Sequence, residues 1–483
     1  MTHLTLQRCL HYIFFLLLIS STTFFATFRI TESPPFWYDE GYFYQIAANL
    51  ARVGDFVIQT SPGEFVKPLL ISTGYPLLFP VSVVFRIFGE GVLQARLVMA
   101  FFILALISIA FFFSQRLFGF KIAALASALM ASFPPLYGHG KSMLGEVPGL
   151  FFLSAFLFFI YRIEQTEYRK KTPYIFAGLA AGLCVATKPI FILLLPAVLF
   201  AVILARRRII FEWKLLAFGA VSFLAPIIVW FIAQTGMHAS LSEIFSYYAN
   251  PYSVENIWSL IIKNALRFFT EASPAYFFFL FLVWFVSLVI RARGKHPITL
   301  AESVAFFYTA LVIVAYLRVE GWYRYFFTAN VVAFLFFPNA LFIIARAISK
   351  KYARIARSFL VVPVLLIVLM LLMHFYKLQS DSFVARSYND TGTAELTGYF
   401  KNFNSLKTIF VFDIPNAVPF LPHNQYYQAI FFERKTVGTI QPVLRGIPDT
   451  ILVKDSAYKE KADIFGLYEA RDLVRDIVLL ERK

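Results

Sequence analysis

The stretch HYIFFLLLISSTTFFATF, residues 11–28, carries no Asp, Glu, Lys or Arg. As a helix it matches a hydrocarbon core about 30 Å thick. It has no small-x-small cleavage signature and is too long for a signal-peptide core, so it reads as a retained membrane helix. Apolar runs of similar length recur through the chain. Of the 483 residues, 59% are hydrophobic and only 15% charged, too little polar surface for a soluble protein of this size. The expected fold class is mainly α, a polytopic membrane helical bundle.

Spans are expected near 10–30, 92–114, 121–137, 147–161, 173–187, 189–205, 214–235, 274–290, 299–317, 325–345 and 358–376, about eleven crossings in all. The net charge of +16 is compatible with nucleic acid, but its placement argues against such a partner. Cations gather in alternate short loops: Arg116 and Lys121; Arg162 and Arg169 to Lys171; Arg206 to Arg208 and Lys214; Arg291, Arg293 and Lys295; Arg346 to Arg357. This is the positive-inside pattern of a multi-pass protein of a plasma or inner membrane. It predicts a cytoplasmic N-terminus and an extracytoplasmic C-terminus, with basic flanks facing anionic membrane lipids. Cys9 and Cys184, far apart in or beside spans, suggest neither a disulfide framework nor a metal site.

The expected domains are 1–376, a transmembrane unit with a long external loop at 31–91, and 377–483, a small soluble α/β domain. In the tail, KTIFVF, TILVK and RDIVLLERK read as strands, and TAELTGYFKNF as a helix. In the loop, Pro34 and Pro35 stop the first helix. Phe43, Ile46, Ala47 and Leu50 then recur at the spacing of an amphipathic helix lying on the membrane surface.

That helix begins with adjacent acids, Asp39 and Glu40. An acid in a first turn ordinarily caps the helix and complements its dipole. Neighbouring helical residues diverge by about 100°, so the two cannot act as a carboxylate dyad on one target. One acid can cap while the other faces a cavity. A transferase using a phosphate-linked sugar needs only one such acid, to take the proton of the attacking hydroxyl, because phosphate leaves readily. The remaining task is to hold the phosphate with cations and donors. Candidates on the same side are Lys67, Lys141, Arg267, Arg318, Lys188 in ATKPIF, and Arg324 with Tyr325 in EGWYRYFF; Lys188 and the Arg324-Tyr325 pair are equally compatible with interfacial anchors. Glu146, in GHGKSMLGEVPGL, is a third acid on that side and equally reads as an ordinary helix start. His139 reads as a capping or solvated residue, since with Glu146 it makes no recognised metal-ligand spacing.

In their order and common side these motifs resemble the GT-C polyprenyl-phosphate-sugar glycosyltransferases, over roughly residues 1–350. The resemblance is to the branch containing protein O-mannosyltransferases and lipid A aminoarabinose transferases. It rests on Asp39-Glu40 followed by GYFYQIAANL, on GYPLLFPVSVVFRIFGEGVLQARL, on Glu146, on TKP at 187–189 and on RYFF. It implies catalytic roles for Asp39, Glu40 and Glu146, with Lys67, Lys188, Arg324 and Tyr325 binding substrate. Lys67-Pro68-Leu69-Leu70 departs from the family's Lys-Pro-Pro-Leu stretch at the second proline. The implied partners are a polyprenyl-phosphate-linked sugar donor and a lipid, glycan or protein acceptor, reacting with inversion at the non-cytoplasmic face. No cofactor is required by the resemblance, whose members include proteins with and without a bound divalent cation. The alternative class is a membrane transporter or lipid or sugar flippase that breaks no bond. Acids serving transport usually lie near the bilayer midplane, and the expected spans hold almost none.

Overall fold

Helix α1 (His3–Thr27) opens a bundle whose buried core mixes aliphatic with aromatic side chains. The structure is a computed structural model that describes residues 3–68, 72–206, 212–236, 242, 256–319, 323–351, 361–401, 408–421, 426–430, 447–460 and 465–483. Leu69, Leu70, Arg207, Arg208, Arg354 and Arg357, singled out in the sequence, lie outside the described residues.

Eight helices among the described residues are long and apolar enough to cross a membrane, and the chain is an integral membrane protein. They include α1, α4 (Val92–Phe118), α7 (Glu146–Gln165), α10 (Trp213–Thr235), α12 (Ala272–Arg293), α13 (Leu300–Leu317) and α14 (Arg324–Lys351). The eighth begins with α15 (Val362–Gln379). The other three expected spans are shorter helices. The 121–137 segment divides into α5 (Phe120–Ala131) and α6 (Pro134–Gly138), because Pro134 cannot donate into a continuing helix. The remaining two are α8 (Lys171–Thr187) and a 3-10 turn at Pro189–Leu193 running into α9 (Leu194–Ala205).

Helix α8 packs tightly on α10 because of Gly178 and Gly182, four residues apart on one face. A Cβ at either would strike the backbone of Gly219 or Phe223 on α10. Small residues that let two backbones approach are what holds helices together where lipid removes the hydrophobic drive.

The loop between α1 and α4 is largely structured. Helix α2 (Tyr38–Val53) leads to an antiparallel hairpin, β1 (Ile58–Ser61) and β2 (Glu64–Val66), and then to α3 (Tyr75–Phe88). The expected α2 exists, but not as a helix resting half in lipid. All residues from Glu40 to Asn49 are buried, polar ones included. One side faces α3, and Gly41 meets the backbone of Pro415 and Asn416 in a 3-10 helix at Pro415–Phe420.

That 3-10 helix belongs to the C-terminal region. Its five-stranded sheet has the order β4-β3-β5-β7-β6, from β3 (Ile409–Phe412), β4 (Tyr426–Ala429), β5 (Thr450–Lys454), β6 (Tyr468–Val474) and β7 (Ile477–Arg482). β3 runs parallel to β4 and β5, and β7 is antiparallel to β5 and β6. Alternation sends Leu452 and Leu479 to one face, with Leu396 and Phe400 of α17 (Gly392–Lys401). Ile451, Val453, Val478 and Leu480 face the other way, toward Phe465 and Tyr468. In chain order, α11 is Ile257–Thr270 and α16 is Phe383–Ser387.

Buried amides fasten this sheet to the loop. Gln428 Nε2 donates to Gln45 Oε1 at 2.6 Å and to the Gln59 carbonyl, Gln59 Nε2 donates to the Tyr426 carbonyl at 3.1 Å, and Gln45 Nε2 to that of Pro415 at 3.3 Å. Tyr38 donates to Asp413 at 2.6 Å, Arg29 to the Asp390 carbonyl at 2.7 Å, and the Thr393 amide to Glu32 at 3.0 Å.

Candidate active site

Glu40 and Asp39 leave the first turn of α2 in different directions. Glu40 turns inward and meets Arg96 of α4 through two bonds of 2.8 Å, both side chains wholly buried. The Trp37 amide at 3.3 Å and the Met143 amide at 3.3 Å also donate to Glu40. Arg96 Nη1 donates to the carbonyls of Ile30, Thr31 and Pro34. A buried guanidinium–carboxylate pair endures only when its remaining donors and acceptors are met, as here. The node holds together the exit from α1, the start of α2, the first turn of α4 and the loop before α7. Nearby, Lys141 is buried with its Nζ 2.8 Å from the Phe28 carbonyl. Burial, and then the charge of Arg96, push its ammonium down to about 7.

Asp39 faces the other way. Its Oδ2 accepts from Arg324 Nη1 at 2.8 Å, and about a third of its side chain (31%) remains open to solvent against 15% for Arg324. Arg324 begins α14, and Tyr325 follows with its ring 5.5 Å from the guanidinium.

A second pair lies beside the first. Glu146, the first residue of α7, accepts from Lys188 at 2.6 Å, and both are largely buried. Its other oxygen, Oε2, is buried without a hydrogen-bond partner among the described residues. Lys188 ends α8, where a cation complements the helix dipole. The loop before α3 clamps this pair: the Gly74 amide donates to the Thr187 carbonyl at 2.9 Å, and the Gly145 amide to Thr73 Oγ1 at 3.2 Å. A Cβ at residue 74 would collide with the Ala186 carbonyl, so the close approach requires glycine. Lys188 is within electrostatic reach of Asp39 and Arg324 as well as Glu146, and Arg324 within reach of Glu146. The four side chains therefore form one cluster of alternating charge. It lies where α2, α7 and α14 present their N-termini, the ends that favour anions.

His139 adjoins the cluster. Its ring stacks on Tyr323, 6.1 Å between centroids, and tilts against Phe327 at 6.2 Å. Burial lowers its pKa to about 4; Glu146 opposes this, while Arg324 and Lys188 reinforce it. The imidazole is neutral at pH 7.

Lys67 lies apart from this cluster. It pairs with Asp55 and donates to the Ala233 carbonyl, at 3.3 Å, near the end of α10. Lys141, one of the cations expected on this side, pairs with the Phe28 carbonyl instead of joining the cluster. Arg96, Thr73 and Gly74 were not among the residues selected from sequence. Arg96 had a signal, a cation in the first turn of an otherwise apolar helix. Among the described residues no group of three or more His, Cys, Asp or Glu side chains is placed to hold a metal ion.

Residues 77–232 match the family model described as dolichyl-phosphate-mannose-protein mannosyltransferase. That match covers Glu146 and Lys188 but neither Asp39 nor Arg324. No curated protein sequence matches the chain. Among solved structures, ArnT from Cupriavidus metallidurans bound to undecaprenyl phosphate is 14% identical, with 97% of each chain covered and a TM-score of 0.65. The archaeal oligosaccharyltransferase AglB from Archaeoglobus fulgidus, in complex with an inhibitory peptide and a dolichol-phosphate, is 12% identical. There 95% of this chain and 71% of that one are covered, at a TM-score of 0.60. The fold is thus the GT-C type that the sequence motifs resemble.

Proposed function

We propose that this chain is an integral-membrane glycosyltransferase that moves a sugar from a polyprenyl-phosphate donor to an acceptor at the non-cytoplasmic face, with inversion. One observation carries the reading: Asp39 and Glu146 form a single charged cluster with Arg324 and Lys188, brought together from four separate helices. The site is built at the membrane surface, where a lipid-borne headgroup arrives laterally.

Asp39 is the catalytic base. The acceptor's hydroxyl oxygen attacks the anomeric carbon, its proton passes to the Asp39 carboxylate, and the bond from that carbon to the phosphate oxygen breaks. Both electrons of that bond leave with polyprenyl phosphate, whose charge Arg324 and Lys188 stabilise, with Tyr325 donating beside them. Arg324 also orients Asp39. Glu146 holds Lys188 in place and presents its second oxygen to the substrate. Lys67 binds the carrier phosphate only if its pair with Asp55 opens. Glu40 is a positioning residue, fixed on Arg96 to aim the first turn of α2. The polar residues are compatible with a phosphorylated, hydroxyl-rich substrate, and a lipid, glycan or protein fits as acceptor.

Residues 1–376 form the transferase unit and 377–483 an extracytoplasmic domain covering α2. The placement of cations supports this orientation: Arg116, Lys171 and Arg291 occupy the ends of α4, α8 and α12 remote from the site end of the bundle. The N-terminus is then cytoplasmic. Purified protein in liposomes, given radiolabelled polyprenyl-phosphate sugar and extracted acceptors, tests the reading. A labelled glycoconjugate with release of polyprenyl phosphate is expected. Movement of the intact donor between leaflets, with no bond cleaved, identifies a flippase instead.

A further inference from the structure

We infer that His139 recognises the sugar of the donor, through a hydrogen bond between its imidazole and a sugar hydroxyl; this rests on the transferase reading above. His139 lies in the loop between α6 and α7, partly exposed, seven residues before Glu146. Its ring has no hydrogen bond to any of the described residues, although the imidazole carries one donor and one acceptor nitrogen. Burying both nitrogens unmet is costly, so a partly open ring beside a charged cluster is suited to meet a ligand.

The surroundings say what kind of ligand. Three charged groups face the ring, Glu146 from α7, Lys188 from the end of α8 and Arg324 from α14. The cations serve a phosphate, and a neutral imidazole adds little to holding that charge. Tyr323 extends the ring of His139 into an aromatic wall, the buried Phe327 backs it, and Asn330 fixes Tyr323 by donating to its hydroxyl at 3.0 Å. An apolar wall bearing one donor and one acceptor matches a sugar ring, which presents C–H bonds on a face and hydroxyls at its rim. The depressed pKa agrees, since the ring stays uncharged through the neutral range.

The test compares two variants in the full-length reconstituted protein. His139→Phe keeps the stacking and removes both nitrogens; His139→Gln restores a donor and an acceptor. His139→Phe is expected to raise KM for the sugar donor about tenfold with kcat little changed, the worth of one neutral hydrogen bond used in binding. Binding of the same polyprenyl phosphate without sugar should be unaltered, and His139→Gln should recover much of the KM. An unchanged KM in His139→Phe, or an equal loss of sugar-free carrier binding, overturns the inference. If His139→Phe does not fold, His139→Leu, which also lacks both nitrogens, decides by the same comparison of sugar-bearing with sugar-free carrier. Wild-type protein that transfers no sugar from any carrier sinks the transferase reading itself. A wild type that transfers, with variants that behave identically, sinks only the role of His139.

Discussion

At the scale of single residues, two adjacent acids have separate work. Asp39→Asn keeps shape and hydrogen bonding while removing the base, so transfer should fall by about 10²–10⁴-fold, read as product formed per mole of folded protein. Glu40→Gln should act differently. It leaves Arg96 buried without its counter-charge, at a cost of about 3–5 kcal/mol, seen as a lower unfolding temperature. Lys141 supplies a pH signature. Its folded pKa, about 7, lies below the 10.5 of a free lysine, so above pH 7 the unfolded state binds the extra proton. Stability should therefore rise between pH 7 and pH 9, by on the order of 2 kcal/mol if this group alone titrates. Lys141→Met should lose that slope, measured as unfolding temperature against pH. The divergence of Asp39 from Glu40 was legible in the sequence, because helix geometry alone demands it. The partner of Glu40 was not, since Arg96 is 56 residues away and only tertiary packing brings it near. Asp39 with Arg324, 285 residues apart, was legible only as two candidates expected on one side.

At the scale of elements, the long apolar helices were read correctly in place, since about 20 residues of hydrocarbon leave little ambiguity. The weaker readings were the short ones. Helix α8 is only 17 residues long, and what secures it is contact through Gly178 and Gly182 rather than its own apolar length. Replacing Gly182 with Leu should force α8 off α10 and displace Lys188, six residues further on. Overpacking of this kind costs about 1–3 kcal/mol. The expected result is a lower unfolding temperature together with loss of transfer, where a mere surface change would alter neither. Helix α2 shows why one hydrophobic face misleads. Phe43, Ile46, Ala47 and Leu50 gave the period, but Gln45 and Asn49 are also buried, their amides bonded to Pro415 and Val57. Gln45, satisfied by a partner 370 positions away, looks solvent-facing in any local reading. Strands β4 and β6 escaped for a similar reason. β4 is four residues long, and β6 turns Glu469, Arg471 and Asp472 to solvent.

At the scale of the whole molecule, the C-terminal sheet and the membrane bundle meet across α2, the helix that carries the proposed base. Gln428 is the centre of that seam, donating to both Gln45 and Gln59 from within a buried site. Gln428→Ala should leave those acceptors unmet, a cost of about 1–3 kcal/mol for each buried group. Limited proteolysis should then cut the C-terminal region faster than in wild type, and transfer should weaken as α2 loses its cover. Unaltered proteolysis would mean that other contacts, such as Tyr38 with Asp413, suffice. The measurement that bears most directly on the central claim is single-turnover transfer of labelled sugar from polyprenyl phosphate by Asp39→Asn, alongside equilibrium binding of the same donor. Retained donor binding with transfer reduced at least about 100-fold is predicted. Transfer at the wild-type rate would contradict the account, because the charged cluster would then hold a carboxylate that the reaction does not need.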